Sequence, residues 1–351
     1  MDFSKFSAPI IVDWEITSQC TYRCFFCQTG LANQKQRPDC SFSEKITILK
    51  KLAQAQVFSV FLSGGDPLLY DEIVDLYKAC CDFRVHPTLS TNGFVVDFKK
   101  LEQLQKLGLD AIQLSLQGCG HTHDTVVDCK GSYSVVLNNI SQMSKMGLNV
   151  KIAFVGTKDN IEDLPPLIEE VAKTGVSVVR LLRFIPCYDK TLLSRIPDEM
   201  LVQKIIEQAS IKAEKLGVSF LCSACPGHCD VTNETLSFVH PSTHFCPAGK
   251  TRFSISSDGA VFPCVILKDE DMYAGSLLTD SVEEIWSNET MAKFRNLTPN
   301  DYTGMCSKCD NKWLCYSCRG LAWSYMGSLY EDDLSCYYLE SKRNMVLSNV
   351  E

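Results

Sequence analysis

The sequence is poor in positive charge and has no long hydrophobic run. Its 34 Lys and Arg residues are outnumbered by 42 Asp and Glu residues, which gives a formal net charge of −8. A duplex-binding surface needs many cations against the phosphates, so this balance argues against a nucleic-acid partner. No apolar stretch reaches the ~18–20 residues of a membrane span, and residues 1–11 do not resemble a secretory signal. We therefore expect a cytoplasmic protein with no membrane partner.

Histidine is also scarce, with 6 residues, whereas cysteine is abundant, with 19. Cytosolic thiols stay reduced, so closely spaced cysteines in such a chain indicate metal binding rather than disulfides. Thirteen of them form groups, namely Cys20, Cys24 and Cys27; Cys222, Cys225 and Cys229; and Cys246, Cys264, Cys306, Cys309, Cys315, Cys318 and Cys336. The other six are expected to be small buried hydrophobes, namely Cys40, Cys80, Cys81, Cys119, Cys129 and Cys187.

Strand and helix patterns alternate over the first two thirds of the chain, which predicts parallel strands joined by right-handed crossovers. The predicted strands cover residues 10–16, 57–62, 85–90, 110–116, 149–155 and 176–184. A closed barrel of eight such units typically needs ~250 residues, and six units in about 190 residues predict an open, partial (β/α)6 barrel. Functional groups are then expected at the carboxyl ends of the strands. The strands are rich in apolar residues, so we expect both faces of the sheet to be covered.

The pattern changes after this region. A helix over 197–216 is either a bridge or the last barrel helix, and a loop-rich, cysteine-dense segment follows it. This segment contains a hairpin over 252–264 and a helix over 282–294, and the acidic run 331–333 is expected to be a solvated loop. We place one domain at 1–230 and a second, smaller domain at 231–351. In the first domain, Ser43 is the expected N-cap of a helix over 43–56.

The first cysteine group has the spacing C-x3-C-x2-C and directly follows the first predicted strand. Three thiolates on one tight loop can hold three corners of a four-iron cubane and leave the fourth iron without a protein ligand. The alternative is a zinc loop that takes its fourth ligand from elsewhere.

This motif resembles that of the radical S-adenosylmethionine (SAM) superfamily, including the aromatic Phe26 before the third cysteine. The resemblance implies that the open iron binds the amino and carboxylate groups of SAM. It also implies that SAM is cleaved to a 5′-deoxyadenosyl radical and that Phe26 lies near the adenine.

A second segment resembles the Gly-Gly-Glu-Pro segment with which the family binds the SAM amino group. It consists of Gly64, Gly65, Asp66 and Pro67, and Asp66 stands where relatives carry Glu. A sharp turn would explain a lone Gly-Gly equally well. Since glycine allows close backbone approach to a ligand, we expect a bulky side chain at Gly65 to impair SAM binding before it affects the cluster.

The ends of later strands match the family more loosely. Ser90, Asn92 and Ser115 align with residues that approach SAM in relatives, although turn and core roles remain open. Relatives often carry His-Asp-x-x-Arg, whose Arg pairs with the SAM carboxylate. Here Val127 stands in place of that Arg after His123, so Arg183 or Lys130 is the expected substitute.

The seven C-terminal cysteines resemble the SPASM domain of peptide-modifying radical SAM enzymes, except that two residues rather than three precede Cys318 in its pair. By analogy, one auxiliary cluster is held by Cys306, Cys309, Cys315 and Cys336, and the other by Cys246, Cys264 and Cys318. The second cluster has either an open iron or a fourth ligand, for which Cys229 is the nearest candidate. If none of them is this ligand, Cys222, Cys225 and Cys229 are either reactive thiols or simply a cysteine-rich loop. His240 and His244 are either ligands or surface residues, and a double zinc ribbon is the alternative for the whole region.

The resemblance therefore implies an enzyme with SAM and three [4Fe-4S] clusters, one SAM-binding and two auxiliary. The expected substrate is a ribosomally made peptide that receives a cross-link, a thioether or an oxidised side chain. The expected electron donor is a flavodoxin or ferredoxin. Because no winged-helix extension precedes residue 10, we expect the peptide either to dock on the barrel mouth or to be delivered by a separate precursor-delivery protein. One alternative is oxidation or epimerisation of a sugar-like molecule, or tetrapyrrole chemistry. Another is a zinc-stabilised, non-catalytic binding module. Spacing alone assigns no general acid or base.

Overall fold

The computed structural model describes residues 6–28, 38–186, 189–223, 246–310, 312–313, 315, 317–336, 339, 344 and 347. The chain divides into two units that do not follow chain order. The first comprises Met1–Ser115, Asn138–Val150 and Pro247–Leu297, and the second comprises Leu116–Leu137, Lys151–Cys246 and Thr298–Glu351. The boundary predicted at 230 falls outside the described residues and stays a prediction. No helix in the described ranges is long and apolar enough to cross a membrane.

The strands of the described residues are β1 Ile11–Thr17, β2 Ser59–Gly64, β3 His86–Thr91, β4 Ala111–Ser115, β5 Asn149–Gly156, β6 Val178–Arg183, β7 Ser219–Ser223, β8 Arg252–Ile255, β9 Ala260–Phe262 and β10 Gly275–Ser276. The α-helices are α1 Phe42–Gln54, α2 Ile73–Asp82, α3 Phe98–Lys106, α4 His121–Val127, α5 Ser132–Lys145, α6 Leu164–Ala172, α7 Glu199–Leu216, α8 Val282–Ser287, α9 Glu289–Asn296 and α10 Arg319–Met326. All six predicted strands of the first two thirds are therefore present.

The sheet of the first unit has the strand order β10-β9-β8-β1-β2-β3-β4. The strands β1 to β4 are parallel, as predicted, and β8 adds a further parallel strand on the free edge of β1. The predicted hairpin forms as β8 and β9, which pair antiparallel. The segment after the barrel region thus contributes three strands to the same sheet as β1.

In the second unit, β5, β6 and β7 pair in parallel and in chain order. The sequence did not predict β7, and its presence makes α7 a crossover helix rather than a bridge. Each of β10 and β7 is hydrogen-bonded to one strand only within the described residues, so the sheet does not close. The fold is α/β with an open parallel sheet, as expected of a partial barrel.

The two faces of the sheet in the first unit differ in polarity. One face is apolar and buried, as shown by Val12, Val60, Leu62 and Leu114, each 0% exposed. The opposite face carries Phe61 and polar side chains that are half-buried in the middle of the sheet, namely Ser63, Thr88, Ser90, Gln113 and Ser115. The expectation that both faces are covered therefore holds only in part for β2 to β4, because this face leaves polar groups accessible to a ligand.

Local details correct three further expectations. The N-cap of α1 is Ser41, which forms a capping box with Glu44, rather than Ser43. The helix predicted over 282–294 is interrupted at Asn288, whose side chain caps α9. Among the six lone cysteines, Cys40 and Cys80 are buried as expected, whereas Cys81 is exposed, Cys119 and Cys129 are half-exposed, and Cys187 lies outside the described residues.

Candidate active site

The first cysteine group lies on the loop after β1, and its thiols are close enough to interact electrostatically. The Cys27 N–H donates to the Cys24 carbonyl at 3.0 Å, which makes the loop turn back on itself. Burial, and then the neighbouring Cys27 and Cys20 thiolates, raise the pKa of Cys24 far above its usual value. Three mutually repelling thiolates in a partly buried place need a positively charged partner, because metal ions are what keep such thiols deprotonated.

A four-iron cubane fits this donor set. Each of its thiolate ligands binds a different iron, so the sulfurs need not meet around one point. Within the described ranges no group of three or more Cys, His, Asp or Glu side chains is arranged to hold a single metal ion. Cys20, Cys24 and Cys27 are the residues that would hold such a cluster.

The cysteine loop is anchored on the end of β2 by unusually close backbone contacts. The Gly65 N–H donates to the Thr17 carbonyl at 2.8 Å, and the Asp66 N–H donates to the Gln19 carbonyl at 2.6 Å. A Cβ atom at Gly65 would lie 2.0 Å from the Gln19 oxygen, and one at Gly64 would lie 2.3 Å from the Thr17 oxygen. These glycines are required by the loop that leads to Cys20. A side chain at Gly65 would therefore displace the cysteine loop itself. We now expect such a change to impair cluster binding first, whereas the sequence alone predicted that SAM binding would be impaired first.

Asp66 is buried and holds the end of β3. Its carboxylate accepts the Thr91 hydroxyl at 2.7 Å, the Leu68 N–H at 3.0 Å and the Asn92 N–H at 3.3 Å. Burial raises the pKa of Asp66 above its ordinary value, and these hydrogen bonds oppose only part of the shift. The carboxylate that stands where relatives carry Glu is therefore bonded to the end of β3.

Asp39 is a site residue that the sequence did not reveal. It accepts the Thr17 hydroxyl at 2.9 Å and the Ser18 N–H at 2.8 Å, directly before the cysteine loop. Burial raises its pKa, but hydrogen bonds from Ser18, Ser257 and Thr17 outweigh burial, so the pKa of Asp39 lies below the ordinary value. An ionised Asp39 therefore holds the start of the cysteine loop through Thr17 and Ser18.

The other predicted SAM-binding residues of the first unit lie around this loop or on the open sheet face. Phe26 is half-exposed and packs edge-on against Phe25, with ring centroids 5.2 Å apart. The Ser90 hydroxyl accepts the Gln113 side-chain amide at 3.4 Å, and Ser115 is half-exposed at the end of β4. Pro67 begins a short 3-10 helix behind Asp66. Their contacts with SAM stay predictions.

Two ion pairs, which the sequence also did not reveal, join β1 to the segment after residue 250. Glu15 pairs with Lys268, and their side chains are 4% and 5% exposed. Asp13 pairs with Arg252 at 2.8 Å. Burial raises the pKa of Asp13, although Arg252 opposes the shift. Alternation of polar and apolar residues in β1 was the available signal, because Asp13, Glu15 and Thr17 share one face.

In the second unit, His123 is buried and serves the backbone. Its Nδ1 accepts the Gln117 N–H at 2.9 Å, so Nε2 carries the proton toward the Ser132 hydroxyl at 2.9 Å. Burial lowers the pKa of His123 to about 4, which keeps the ring neutral. Asp124 accepts the N–H groups of Gly131 and Tyr133, at 2.5 and 2.8 Å. The His-Asp pair therefore shapes the connection between α4 and α5.

Arg183 lies at the end of β6 and is paired with Asp333 at 2.6 Å, both side chains being nearly inaccessible. Lys130, the other candidate for the SAM carboxylate, is exposed. The residue that replaces the usual Arg at the SAM carboxylate stays a prediction.

The acidic run 331–333 is not a solvated loop, because Asp332 and Asp333 are 0% and 1% exposed. Asp332 accepts the Cys306 N–H at 2.7 Å, and Asp333 accepts the Cys318 N–H at 2.5 Å. These carboxylates thus hold the backbone of two predicted cluster ligands. The prediction of a solvated loop was wrong for these two residues because the sequence does not show which backbone N–H donors surround a carboxylate in the fold.

Ser317 further links the auxiliary cysteines. Its N–H donates to the Cys315 sulfur at 3.3 Å, and its hydroxyl lies 3.9 Å from the Cys306 sulfur. Burial, and then the Asp333 carboxylate, raise the pKa of Cys318, while Arg183 opposes the shift. Ser317 therefore lies between two of the predicted auxiliary ligands, Cys306 and Cys315.

The remaining predicted ligands are placed as follows. Cys309 ends a short 3-10 turn that begins at Cys306, and the Cys336 N–H donates to the Asp333 carbonyl at 2.9 Å. Cys264 belongs to the first unit. Cys222 lies on β7 and is disulfide-bonded. Cys225, Cys229, His240 and His244 lie outside the described residues, so their roles are untested.

Residues 14–171 match the family described as the radical SAM superfamily, and residues 246–310 match SPASM, described as an iron–sulfur cluster-binding domain. The chain is a radical SAM enzyme with a SPASM domain. Membership implies [4Fe-4S] clusters and SAM as cofactors, and the assignment of individual cysteines to these clusters stays a prediction.

The relatives of this radical SAM enzyme are named for different activities. It is 23% identical over 352 residues to the AdoMet-dependent heme synthase of Methanosarcina barkeri, covering 96% of this chain and 99% of that protein. It is 26% identical over 284 residues to the sporulation killing factor maturation protein SkfB of Bacillus subtilis, covering 80% and 65% of the two chains. Its fold resembles that of Streptococcus suis SuiB bound to precursor peptide SuiA, with TM-score 0.74, 18% identity, and 93% and 75% coverage.

Proposed function

We propose that this radical SAM enzyme modifies a ribosomally made peptide by hydrogen abstraction, giving a cross-link, a thioether or an oxidised side chain. In this proposal Cys20, Cys24 and Cys27 hold the SAM-binding cluster, and the seven C-terminal cysteines hold two auxiliary clusters, so that there are three [4Fe-4S] clusters in all. When bound, these groups supply one electron to SAM, a 5′-deoxyadenosyl radical that removes a substrate hydrogen, and an acceptor for the second substrate electron.

The open polar face of the first unit carries the proposal of a peptide substrate. Ser63, Thr88, Ser90, Gln113 and Ser115 present hydroxyl and amide groups in the middle of a parallel sheet, where apolar residues are the usual occupants. A peptide offers one N–H and one C=O at nearly every residue, and both need partners when it leaves water. Hydroxyl and amide side chains can donate and accept, so this face suits an extended peptide. The names of SkfB and of the SuiB complex, a maturation protein and a peptide-bound enzyme, support the same class.

Tetrapyrrole chemistry is the second candidate. The observation that favours it is the heme synthase match, which covers 96% of this chain and 99% of that relative. The two candidates require different partners, because peptide modification also calls for a precursor and, in our proposal, a separate delivery protein. Both call for a flavodoxin or ferredoxin as electron donor.

The test compares the wild-type chain with the triple-alanine variant, in which Cys20, Cys24 and Cys27 are all replaced by Ala. Both proteins are reconstituted anaerobically with iron and sulfide, reduced with dithionite and given SAM. Peptides encoded beside the gene and a coproporphyrin are supplied in separate reactions and examined by mass spectrometry. Loss of two hydrogens from a peptide, with the wild-type protein only, supports the proposal.

Two outcomes contradict it. If the coproporphyrin is converted and no peptide product forms, the function is tetrapyrrole chemistry and not peptide modification. A colourless wild-type protein that binds zinc and no iron would instead favour the non-catalytic module.

A further inference from the structure

The side-chain amide of Asn92 has one orientation that satisfies its surroundings. Its Oδ1 accepts the Phe94 N–H at 2.9 Å, and because a backbone N–H can only donate, the oxygen must lie on that side. The Nδ2 group then faces the cysteine loop, where it lies 3.1 Å from the Thr21 hydroxyl and 3.6 Å from the Cys20 sulfur. An N–H donor is therefore directed at a thiolate of the cysteine set.

Asn92 is held in this position from behind. Its own N–H donates to the Asp66 carboxylate at 3.3 Å, and the preceding Thr91 donates its hydroxyl to the same carboxylate at 2.7 Å. Asp66 is 1% exposed and Asn92 is 7% exposed, so water does not compete strongly for these groups. The end of β3 is thus a rigid support for the amide.

The Cys20 sulfur also receives a second donor, the Tyr22 N–H at 3.4 Å. Hydrogen bonds to the sulfurs of an iron–sulfur cluster are among the features that set its reduction potential. Reduction adds negative charge to the cluster and its ligands, and an N–H dipole directed at a ligand sulfur stabilises that charge. Removing one such donor lowers the potential.

We propose that Asn92 is a positioning residue that donates a hydrogen bond to the Cys20 sulfur and thereby raises the reduction potential of the cluster held by that loop, with Asp66 acting through Asn92. The proposal rests on the proposed role of Cys20 as a cluster ligand. It concerns electron entry, so it applies equally to a peptide and to a tetrapyrrole substrate.

Three variants test it. Asn92→Asp keeps the size of the side chain and its acceptor for Phe94 but replaces the donor with an oxygen. Asn92→Ala removes the donor without adding a charge. Thr21→Val is the matched control, because it removes the other partner of the amide and leaves the bond to Cys20 available; Thr21 is exposed, so this change disturbs no core contact.

The measurement is a redox titration followed by electron paramagnetic resonance. The signal of interest is the one that is present in the wild-type protein and absent from the triple-alanine variant. Both Asn92 variants are expected to shift its midpoint to lower potential, while Thr21→Val retains the wild-type value. Only chains that hold the cluster give this signal, so a variant that binds less iron is still measured on its loaded fraction.

An unchanged midpoint in both Asn92 variants overturns the proposal, as does an equal shift in Thr21→Val. A purely structural role for Asn92 would lower iron content or melting temperature without moving the midpoint. Failure of the proposed function is distinguishable, because a wild-type protein without an N-terminal cluster gives no such signal at all.

Discussion

Replacing Gly65 with alanine is expected to dislodge the loop that carries Cys20. The added Cβ atom would lie 2.0 Å from the Gln19 oxygen, 2.4 Å from the Gln19 carbonyl carbon and 2.7 Å from the Ser18 oxygen. All three atoms belong to the backbone, which cannot rotate away as the end of a side chain can. Since Cβ contacts below 3.0 Å essentially never occur, the loop must retreat from 2.0 Å to at least 3.0 Å at Gln19.

The free-energy cost follows from overpacking and lost hydrogen bonds. Inserting a carbon into a well-packed place costs about 1–3 kcal/mol. The same retreat stretches the bonds from Gly65 to Thr17 and from Asp66 to Gln19, now 2.8 and 2.6 Å, and each such bond contributes about 1 kcal/mol. The sum is about 3–5 kcal/mol, which corresponds to at least a hundredfold weaker retention of a cluster at about 1.4 kcal/mol per tenfold.

The assay is iron and sulfide content after anaerobic reconstitution, with SAM affinity measured on the same preparation. Gly65→Ala is expected to lose about four iron ions per chain, the content of one cubane, together with SAM binding. Gly156→Ala is the control, because its Cβ atom meets only the side-chain ends of Ile161 and Leu181, at 2.7 and 2.9 Å, which can move. A Gly65→Ala protein with full iron content and selectively weakened SAM binding would refute the reasoning and restore the view that this glycine makes room for the ligand.

Three further outcomes are expected. The triple-alanine variant should lose one cluster and all formation of 5′-deoxyadenosine while keeping its C-terminal iron, as measured by iron analysis and chromatography; undiminished 5′-deoxyadenosine would exclude this loop as the SAM site. Asp333→Ala should lower the free energy of unfolding in urea by about 3–5 kcal/mol, because it leaves Arg183 as a buried charge without its carboxylate. The control is Asp82→Ala, which breaks the exposed ion pair with Lys78 and should change this free energy by less than about 1 kcal/mol. The free energy of unfolding should fall by about 3 kcal/mol as the pH drops from about 6.5 to about 4. In this range the histidine of the unfolded chain binds a proton, whereas buried His123 stays neutral in the folded chain until about pH 4. His123→Gln should flatten that part of the pH profile, the exposed His86→Gln should not, and equal slopes in both variants would contradict the assignment.

The strands and most helices follow from the sequence because their signals are local. The prediction of the six barrel strands and of α3 uses the spacing of apolar residues and the residues that end an element, such as Gly108 after α3. Both signals lie within a few residues of the element. The same locality explains the hairpin at Gly259. The strand β7 was missed even though Gly217 ends the helix before it, because its five residues offer only a very short apolar run.

The supports of the site could not be predicted in the same way. Asp39, Asp66, Asp332 and Asp333 each accept backbone N–H groups from segments distant in sequence or fixed by tertiary packing. A sequence shows where a carboxylate stands but not which unpaired donors will approach it. The polar residues Asp13, Glu15 and Thr17 alternate with apolar residues in β1 and so indicate a polar face. The apolar residues between them nevertheless led to the prediction of a strand covered on both faces.

The pairing of β1 with β8 has a consequence for synthesis. Ile11 lies opposite Arg252, roughly 240 residues later in the chain, and ribosomes add about 5–20 residues per second. The outer edge of β1 therefore emerges first and waits tens of seconds for its neighbour. During that interval it is an unprotected template for pairing with other chains. Production of this protein should thus depend on chaperone supply and on uninterrupted translation of its last third, and a fragment that stops before residue 252 should aggregate rather than fold.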